Sequence, residues 1–303
     1  MNILIGGLLG DTIMYLSMCN YISRKTNTKC NVYLKDDYFR QKPTCRTMEF
    51  TYNSLYNLII KQEYINTFKK ENINVKIDLD LTTFRHFRCR YLTNKLFVTW
   101  PEIYMRLYFS KKRNTIITPN KQKHSDFFYK NLLSGNENND KFSESWLRPT
   151  TIYNQYENAL VISRTNYRPQ PDEYIIKKYI KIIQQYKQVY FVCYERHEAI
   201  TFKEQFKVKV EPIYVKNLEQ WINIIGSCEE FIGNMTSSSS IAYGLNQKRI
   251  VETWNDPVAL LFAAESLINP KQRVINSYYN DFKDKQRNYF LPTEDYFFTG
   301  ITI

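Results

Sequence analysis

Five consecutive hydroxyl side chains after a short apolar run are the residues of this chain best suited to binding an anion. They are Thr236, Ser237, Ser238, Ser239 and Ser240. The preceding run at Phe231 and Ile232 predicts a buried strand, and the apolar spacing that follows predicts a helix. Ser and Thr cap helix N-termini, where unpaired backbone N–H groups and the helix dipole attract negative charge. The stretch therefore predicts either a loop that binds the phosphates of a nucleotide or a capped turn without a ligand.

A glycine-containing loop near the N-terminus carries a candidate site residue, Asp11. The sequence predicts a strand over residues 2–5, followed by this loop and by a helix that begins at Thr12. Gly7 and Gly10 allow the backbone to turn sharply and a ligand to approach closely. At the helix N-terminus, the Asp11 carboxylate either faces the cleft above the strand ends or caps the helix.

The same loop does not match two common phosphate-binding patterns. No Gly-Lys-Ser/Thr follows it, which excludes a P-loop, and Ile5 stands where the first glycine of G-x-G-x-x-G belongs. A dinucleotide-dependent enzyme of the NAD type, with Asp36 on the ribose, is therefore the less favoured alternative.

Charged side chains after other predicted strands complete the candidate nucleotide site. Ligands of parallel sheets bind at the carboxyl ends of the strands. Arg164 and Arg168 follow a strand predicted over residues 159–163, and we assign them to the phosphate charge. Glu195 follows the next predicted strand and is assigned to the border of the base, and Glu252 is assigned to a ribose hydroxyl.

Residues 84–123 are the most basic and aromatic part of the chain. The candidate acceptor contacts within them are Arg85, Arg88, Arg90 and Trp100. Cations neutralise phosphates, and aromatic faces stack on bases or sugars, so the segment suits an acceptor surface. A solvated face whose aromatic rings pack inward explains the same composition and is the favoured interpretation.

The composition as a whole indicates a globular protein with anionic partners. The 303 residues carry a formal net charge of +12, which favours partners such as DNA or an acidic glycan. The six cysteines form no C-x-x-C pair and have no histidine at ligand spacing, so we predict neither a metal site nor a cofactor. The D-x-D triplet at residues 78–80 has the form of a sugar-transferase metal motif, and we interpret it as structural. The sequence shows no signal peptide and no transmembrane segment, so we expect a cytoplasmic location.

Strands alternate with helices through short loops, which predicts an α/β fold with doubly wound parallel sheets. We expect a helix over residues 50–70, a strand over residues 75–81, and helices capped by Asp172 and Asn217. A polar stretch before residue 150 marks the domain boundary.

The predicted domains are residues 1–150 on the acceptor side and residues 151–276 on the nucleotide-sugar side. The tail at residues 277–303 is expected to cross back to the first domain.

Two stretches resemble GT-B fold glycosyltransferases of the heptosyltransferase type, glycosyltransferase family 9. They are the opening ILIGGLLGDTIMYL and the run LEQWINIIGSCEEFIGNMTSSSSIAYGLNQKRIV. The resemblance implies two Rossmann-like domains that face each other across a cleft. It also implies sugar transfer from a nucleotide-sugar to an acceptor hydroxyl, with inversion and without a metal ion. In that scheme Asp11 is the general base, and Thr236, Ser237, Ser239 and Ser240 bind the donor phosphates.

Two positions depart from the family pattern. Met235 stands where the family has an aspartate, and Ser240 stands where it has a histidine. The sequence therefore leaves two classes of function open. One is a glycosyltransferase whose acceptor is a glycan or a modified base in DNA. The other is a non-catalytic nucleotide- or nucleic-acid-binding protein with a degenerate GT-B fold.

Overall fold

The computed structural model describes residues 1–36, 47–72, 74–82, 145–166, 170–253 and 271–275. Several predicted features lie outside these ranges, namely Arg85, Arg88, Arg90, Trp100, Arg168 and the tail at residues 277–303. Every helix in the described ranges falls short of the length and apolar character that crossing a membrane requires.

The N-terminal half of the chain forms a parallel sheet of four strands. The strands are β1 (Asn2–Ile5), β2 (Cys30–Leu34), β3 (Ile65–Lys70) and β4 (Leu79–Asp80), and the helices are α1 (Leu9–Thr26) and α2 (Met48–Ile60). The strand order is β3-β2-β1-β4. Parallel neighbours need a crossover connection, which α1 supplies between β1 and β2 and α2 supplies between β2 and β3.

The helix expected over residues 50–70 is wrong in its second half. It ends at Ile60, and residues 65–70 form strand β3. A turn at Gln62 separates the helix from the strand. The Gln62 N–H donates to Ile59 O at 3.1 Å, and the Gln62 carbonyl accepts from Ile65 N at 3.0 Å. The two buried side chains of β3, Ile65 and Phe68, are three residues apart. That spacing fits a helix and not the two-residue alternation of a half-buried strand, so the apolar pattern favoured the wrong element.

The strand expected over residues 75–81 shortens to Leu79–Asp80. A turn precedes it, in which Val75 N donates to Asn72 O at 3.0 Å. Asp78 Oδ2 then accepts the backbone N–H of Asn2 at 2.9 Å. Asp80 Oδ1 accepts the Thr82 N–H at 2.8 Å and the Thr82 hydroxyl at 2.5 Å. Both carboxylates of the D-x-D triplet thus accept hydrogen bonds from residues of the same N-terminal half. This agrees with the interpretation of the triplet as structural.

The C-terminal half forms a second parallel sheet, of six strands. The strands are β5 (Ala159–Ser163), β6 (Gln188–Cys193), β7 (Glu211–Tyr214), β8 (Glu230–Asn234), β9 (Arg249–Glu252) and β10 (Gln272–Ile275). The helices are α3 (Glu173–Ile183), α4 (Arg196–Phe206), α5 (Leu218–Ser227) and α6 (Ser237–Gly244). The strand order is β10-β9-β8-β5-β6-β7. The direction of winding reverses between β5 and β8, which makes their carboxyl ends the switch point of the sheet.

These two parallel sheets with their helices confirm the predicted α/β class. The two predicted caps are confirmed as well, because Asp172 Oδ1 accepts from Ile175 N and Asn217 Oδ1 accepts from Gln220 N, each at 2.8 Å. Strand β10 was not predicted.

The two halves pack directly on each other. Helix α1 lies along α6 and α2 lies against α5, and one buried apolar cluster includes Ile13, Leu55, Trp221 and Ile241. Residues 145–150 connect the two halves through hydrogen bonds. The N–H groups of Trp146 and Leu147 both donate to Gly244 O at 2.8 Å, and the Tyr64 hydroxyl donates to Trp146 O at 2.6 Å.

We expect Gly233→Ala to destabilise the protein by about 1–3 kcal/mol or more, because a methyl group there overpacks the sheet. It would overlap the backbone oxygen of Ser163 and lie 2.7 Å from Phe231 Cζ. Urea unfolding measures the loss. Gly226→Ala is the matched control, since its methyl group would meet only side chains, Pro149 at 3.1 Å first, and since alanine favours the helix. Equal stability of the two variants would contradict the expected strain at Gly233.

Candidate functional site

The first turns of helices α1 and α6 touch each other. A methyl group built on Gly10 would lie 3.2 Å from Ser240 Oγ and 3.6 Å from Ser237 N. Each helix follows the carboxyl end of a strand, β1 for α1 and β8 for α6. Two positive helix ends therefore meet where α/β proteins bind ligands. We call this contact of the two first turns the helix junction.

Asp11 lies on the α1 side of the helix junction and is half-buried. Its Oδ2 accepts the backbone N–H of Leu8 at 3.2 Å, which caps the start of the helix. Gly7 makes this possible, because its φ of +88° belongs to the left-handed region and a side chain there would press on the Asp11 Cβ at 3.0 Å. The structure therefore realises the capping role of Asp11, and its role as a base remains a proposal.

The hydroxyl loop on the α6 side is bonded mainly to itself. Thr236 Oγ1 and Ser238 Oγ are 2.8 Å apart, and the Ser239 hydroxyl donates to Asn234 O at 2.6 Å. Ser238 and Ser239 are buried, and the half-buried Ser240 hydroxyl donates to Thr236 O at 3.4 Å. Ser237 is half-buried and its hydroxyl makes no hydrogen bond with a described residue. The groups that can meet a phosphate are thus the Ser237 hydroxyl and the backbone N–H groups of the first turn.

Arg164 and Glu252, which the sequence predicted to contact the nucleotide, bind each other. Arg164 Nε donates to Glu252 Oε2 at 2.8 Å and Arg164 Nη2 donates to Oε1 at 2.9 Å. Their side chains are only 2% and 7% exposed. The Tyr179 hydroxyl donates to Glu252 Oε2 at 2.9 Å, and the guanidinium lies 5.8 Å from the centre of the Phe206 ring. The two buried opposite charges compensate each other, and the ion pair connects the carboxyl ends of β5 and β9.

The pKa values of this network follow from burial and charge. Burial acts to lower the pKa of Arg164, but the hydrogen bonds and the charge of Glu252 outweigh it, so the pKa is raised. Burial raises the pKa of the Tyr179 phenol well above its usual range, and the Glu252 charge raises it further. The Tyr179 phenol therefore keeps its proton at neutral pH and donates it to Glu252.

Asn234 was not among the residues that the sequence predicted for the site. It is the last residue of β8 and is fully buried. Its Nδ2 donates to Thr165 O at 3.0 Å, and its Oδ1 accepts from Thr165 N at 3.3 Å. These two hydrogen bonds join the end of β8 to the loop that follows β5, at the switch point of the sheet. A polar residue at the end of an otherwise apolar strand was the available signal.

Glu195 lies apart from the helix junction. It precedes α4 at the end of β6, which is separated from β8 by β5. Its side chain is exposed and its Oε2 lies 3.3 Å from His197 Nδ1. The neighbouring Arg196 lies over the exposed ring of Tyr214, 5.7 Å from the ring centre. Among the described residues no group of three His, Cys, Asp or Glu side chains could hold a metal ion.

The fold resembles solved glycosyltransferases. The structure of the glycosyl transferase family 9 from Veillonella parvula matches with a TM-score of 0.51 and 10% identity, over 97% of this chain and 91% of that chain. Escherichia coli ADP-heptose lps heptosyltransferase II has a TM-score of 0.48 and 14% identity, over 91% and 90%. The E. coli heptosyltransferase WaaC with ADP-2-deoxy-2-fluoro heptose has 0.46 and 12%, over 91% and 93%.

No protein-family model matches the sequence, and no curated protein matches it significantly. The likeness to the Veillonella structure is one of fold, and it confirms the GT-B-like architecture that the two sequence stretches implied.

We expect Glu252→Gln to cost about 3–5 kcal/mol of unfolding free energy, because it leaves the buried Arg164 charge uncompensated. Tyr179→Phe removes one hydrogen bond to the same carboxylate and should cost less, about 1.5–3 kcal/mol. Urea unfolding of both variants and of the double variant checks the network. Because the Tyr179 hydroxyl donates directly to Oε2 of Glu252, the effects of the two substitutions should be non-additive, and simple additivity would argue against the network.

Proposed function

We propose that this protein is a glycosyltransferase that moves a sugar from a nucleotide-sugar to an acceptor hydroxyl. The observation that carries the proposal is the helix junction, where the first turn of α1, which includes Asp11, touches the hydroxyl-rich first turn of α6 at Gly10. The fold likeness to the Veillonella family 9 glycosyl transferase supports it, because the same architecture there belongs to an enzyme of that class.

In the proposed reaction the Asp11 carboxylate takes the proton of the acceptor hydroxyl. The acceptor oxygen attacks the anomeric carbon from the face opposite to the leaving group, so the configuration inverts. The bond from that carbon to the nucleoside diphosphate breaks as the new bond forms. The N–H groups of the first turn of α6 and the Ser237 hydroxyl meet the growing phosphate charge, without a metal ion.

The proposal extends to the arrangement of the substrates. Residues 1–150 would bind the acceptor and residues 151–276 the nucleotide-sugar, with the reaction in a cleft between them and the tail at residues 277–303 crossing back. Glu195, at the end of β6, would border the base, and Arg168 would meet a phosphate. The net charge of +12 favours an anionic acceptor, an acidic glycan or a modified base in DNA.

A nucleotide-binding protein without transferase activity is the second candidate. It is favoured by the hydrogen bonds of the site itself. Asp11 already serves as a helix cap, and the hydroxyls of Ser238 and Ser239 are buried within their own loop.

A thermal-shift screen of UDP-, GDP-, ADP- and CMP-sugars, with NAD as the comparison, tests the proposal. Ligands that bind only the folded state raise the unfolding temperature. A nucleotide-sugar that stabilises the protein and is consumed in the presence of an acceptor supports the transferase. Stabilisation without turnover favours the second candidate, and no stabilisation by any nucleotide counts against both. A DNA titration at two salt concentrations then examines the acceptor.

We expect Asp11→Asn to lower turnover by about a hundredfold or more and to leave nucleotide affinity unchanged. Asparagine keeps an oxygen that can accept from Leu8 N, so the cap survives and only the base is lost. Asp172→Asn is the matched control, since Asp172 also caps a helix but lies on α3. Near-normal turnover of the Asp11 variant would refute its role as the base.

A further inference from the structure

A polar hollow of about 740 Å³ opens at the amino-terminal edge of the second sheet. Its walls come from the residues that precede β5, β6, β8 and β9 and from Arg273 on β10. The helix junction follows the carboxyl end of β8, so the hollow lies at the opposite edge. None of the proposed transferase residues lines it.

The buried carboxylate of Glu230 holds two lining residues of the hollow, Tyr186 and Arg273, in position. Glu230 is fully buried at the start of β8. Its Oε2 accepts from the Tyr186 hydroxyl at 2.9 Å and from Arg273 Nη2. Burial and then the bond to Glu230 raise the pKa of Tyr186, so the phenol remains a donor to Glu230. The positions of Tyr186 and Arg273 are therefore set before any ligand binds.

Cationic donors around the hollow exceed the acceptors that the chain provides. Lys187 makes no ion pair with a described residue. Lys248 Nζ lies 3.7 Å from Glu229 Oε1 and 3.9 Å from Glu230 Oε1, beyond hydrogen-bonding distance. Toward the described residues, Arg273 uses a single N–H, which Glu230 accepts. Among the described residues three cations thus face two carboxylates, and these residues leave most of the cationic N–H groups to an anion.

The rest of the lining is uncharged and polar. It includes the amide side chains of Asn158, Gln185 and Gln188, which can both donate to and accept from hydroxyl groups. The volume falls in the range of small-molecule sites. A concavity that combines several cations with amides matches one anionic group joined to a polar body, whereas an extended polyanion would need a longer open stripe of charge.

We propose that this hollow binds a small phosphorylated polyol such as a sugar phosphate. The phosphate lies among Lys187, Lys248 and Arg273, and the hydroxyls of the ligand bond to the amide side chains. This site is separate from the nucleotide-sugar site and does not depend on the transferase activity. Strands β8 and β9 run from one edge to the other, with Glu230 and Lys248 near the hollow and Asn234 and Glu252 at the far ends.

Isothermal titration calorimetry with glucose 6-phosphate and with inorganic phosphate tests the proposal. The wild-type chain should bind glucose 6-phosphate at one site and more tightly than inorganic phosphate, because only the former offers hydroxyls to the amides. Lys187→Gln should weaken binding about tenfold, and the double variant with Lys248→Gln by about a hundredfold, as expected for lost charge-assisted hydrogen bonds.

Lys209→Gln is the matched control, because Lys209 is an exposed lysine outside the hollow, and it should change affinity by less than about twofold. Because Lys187 makes no ion pair with any residue that the structure describes, the single variant Lys187→Gln keeps the test valid if the double variant fails to fold. Absence of binding to the wild type, or equal affinity of Lys187→Gln and Lys209→Gln, would overturn the site. Equal affinity for the two probes would overturn the assignment to a phosphorylated polyol. Failure of the transferase would appear separately, in the nucleotide-sugar screen.

Discussion

The close approach of α1 to α6 at Gly10 is the contact on which the rest of the architecture depends. A side chain larger than a methyl group at this position would push the helices apart, because a methyl group there would already lie 3.2 Å from Ser240 Oγ and 3.6 Å from the Ser237 backbone. Because Gly10 has no side chain, the two helices can approach each other closely, and the two halves share one apolar cluster. The loops after β1 and β8 are brought together as a result, and each half alone would present only part of the site.

Much of the fold was predictable from the sequence, because its signals are local. The buried runs of β5 and β6 and the caps of α3 and α5 depend on residues within a few positions of each other. Strand β3 was missed for the opposite reason. Its place is set by pairing with β2 from Cys30 to Leu34, and such a partner is not visible in the spacing of Ile65 and Phe68.

The site was less predictable than the fold, because the roles of its residues depend on which side chains meet across the sheet. Arg164 and Glu252 are 88 residues apart, and position at a strand end predicted a ligand for each of them. In the structure each of the two is hydrogen-bonded to the other, and a contact with a nucleotide stays a prediction. The hydroxyl run was correctly read as the start of a helix, whereas the burial of Ser238 and Ser239 follows from packing that composition does not encode. Whether these residues bind a nucleotide stays a prediction.

The attachment of residues 145–150 to both halves has a consequence for the integrity of the chain. Trp146 and Leu147 bond to Gly244, Tyr64 bonds to Trp146, and the backbone N–H of Arg148 donates to Gln62 Oε1 at 3.1 Å. Non-covalent contacts between residues before position 83 and residues after position 144 therefore hold the two halves together. Two fragments produced by cutting the backbone within that interval would keep these complementary surfaces and could reassociate when expressed as separate polypeptides.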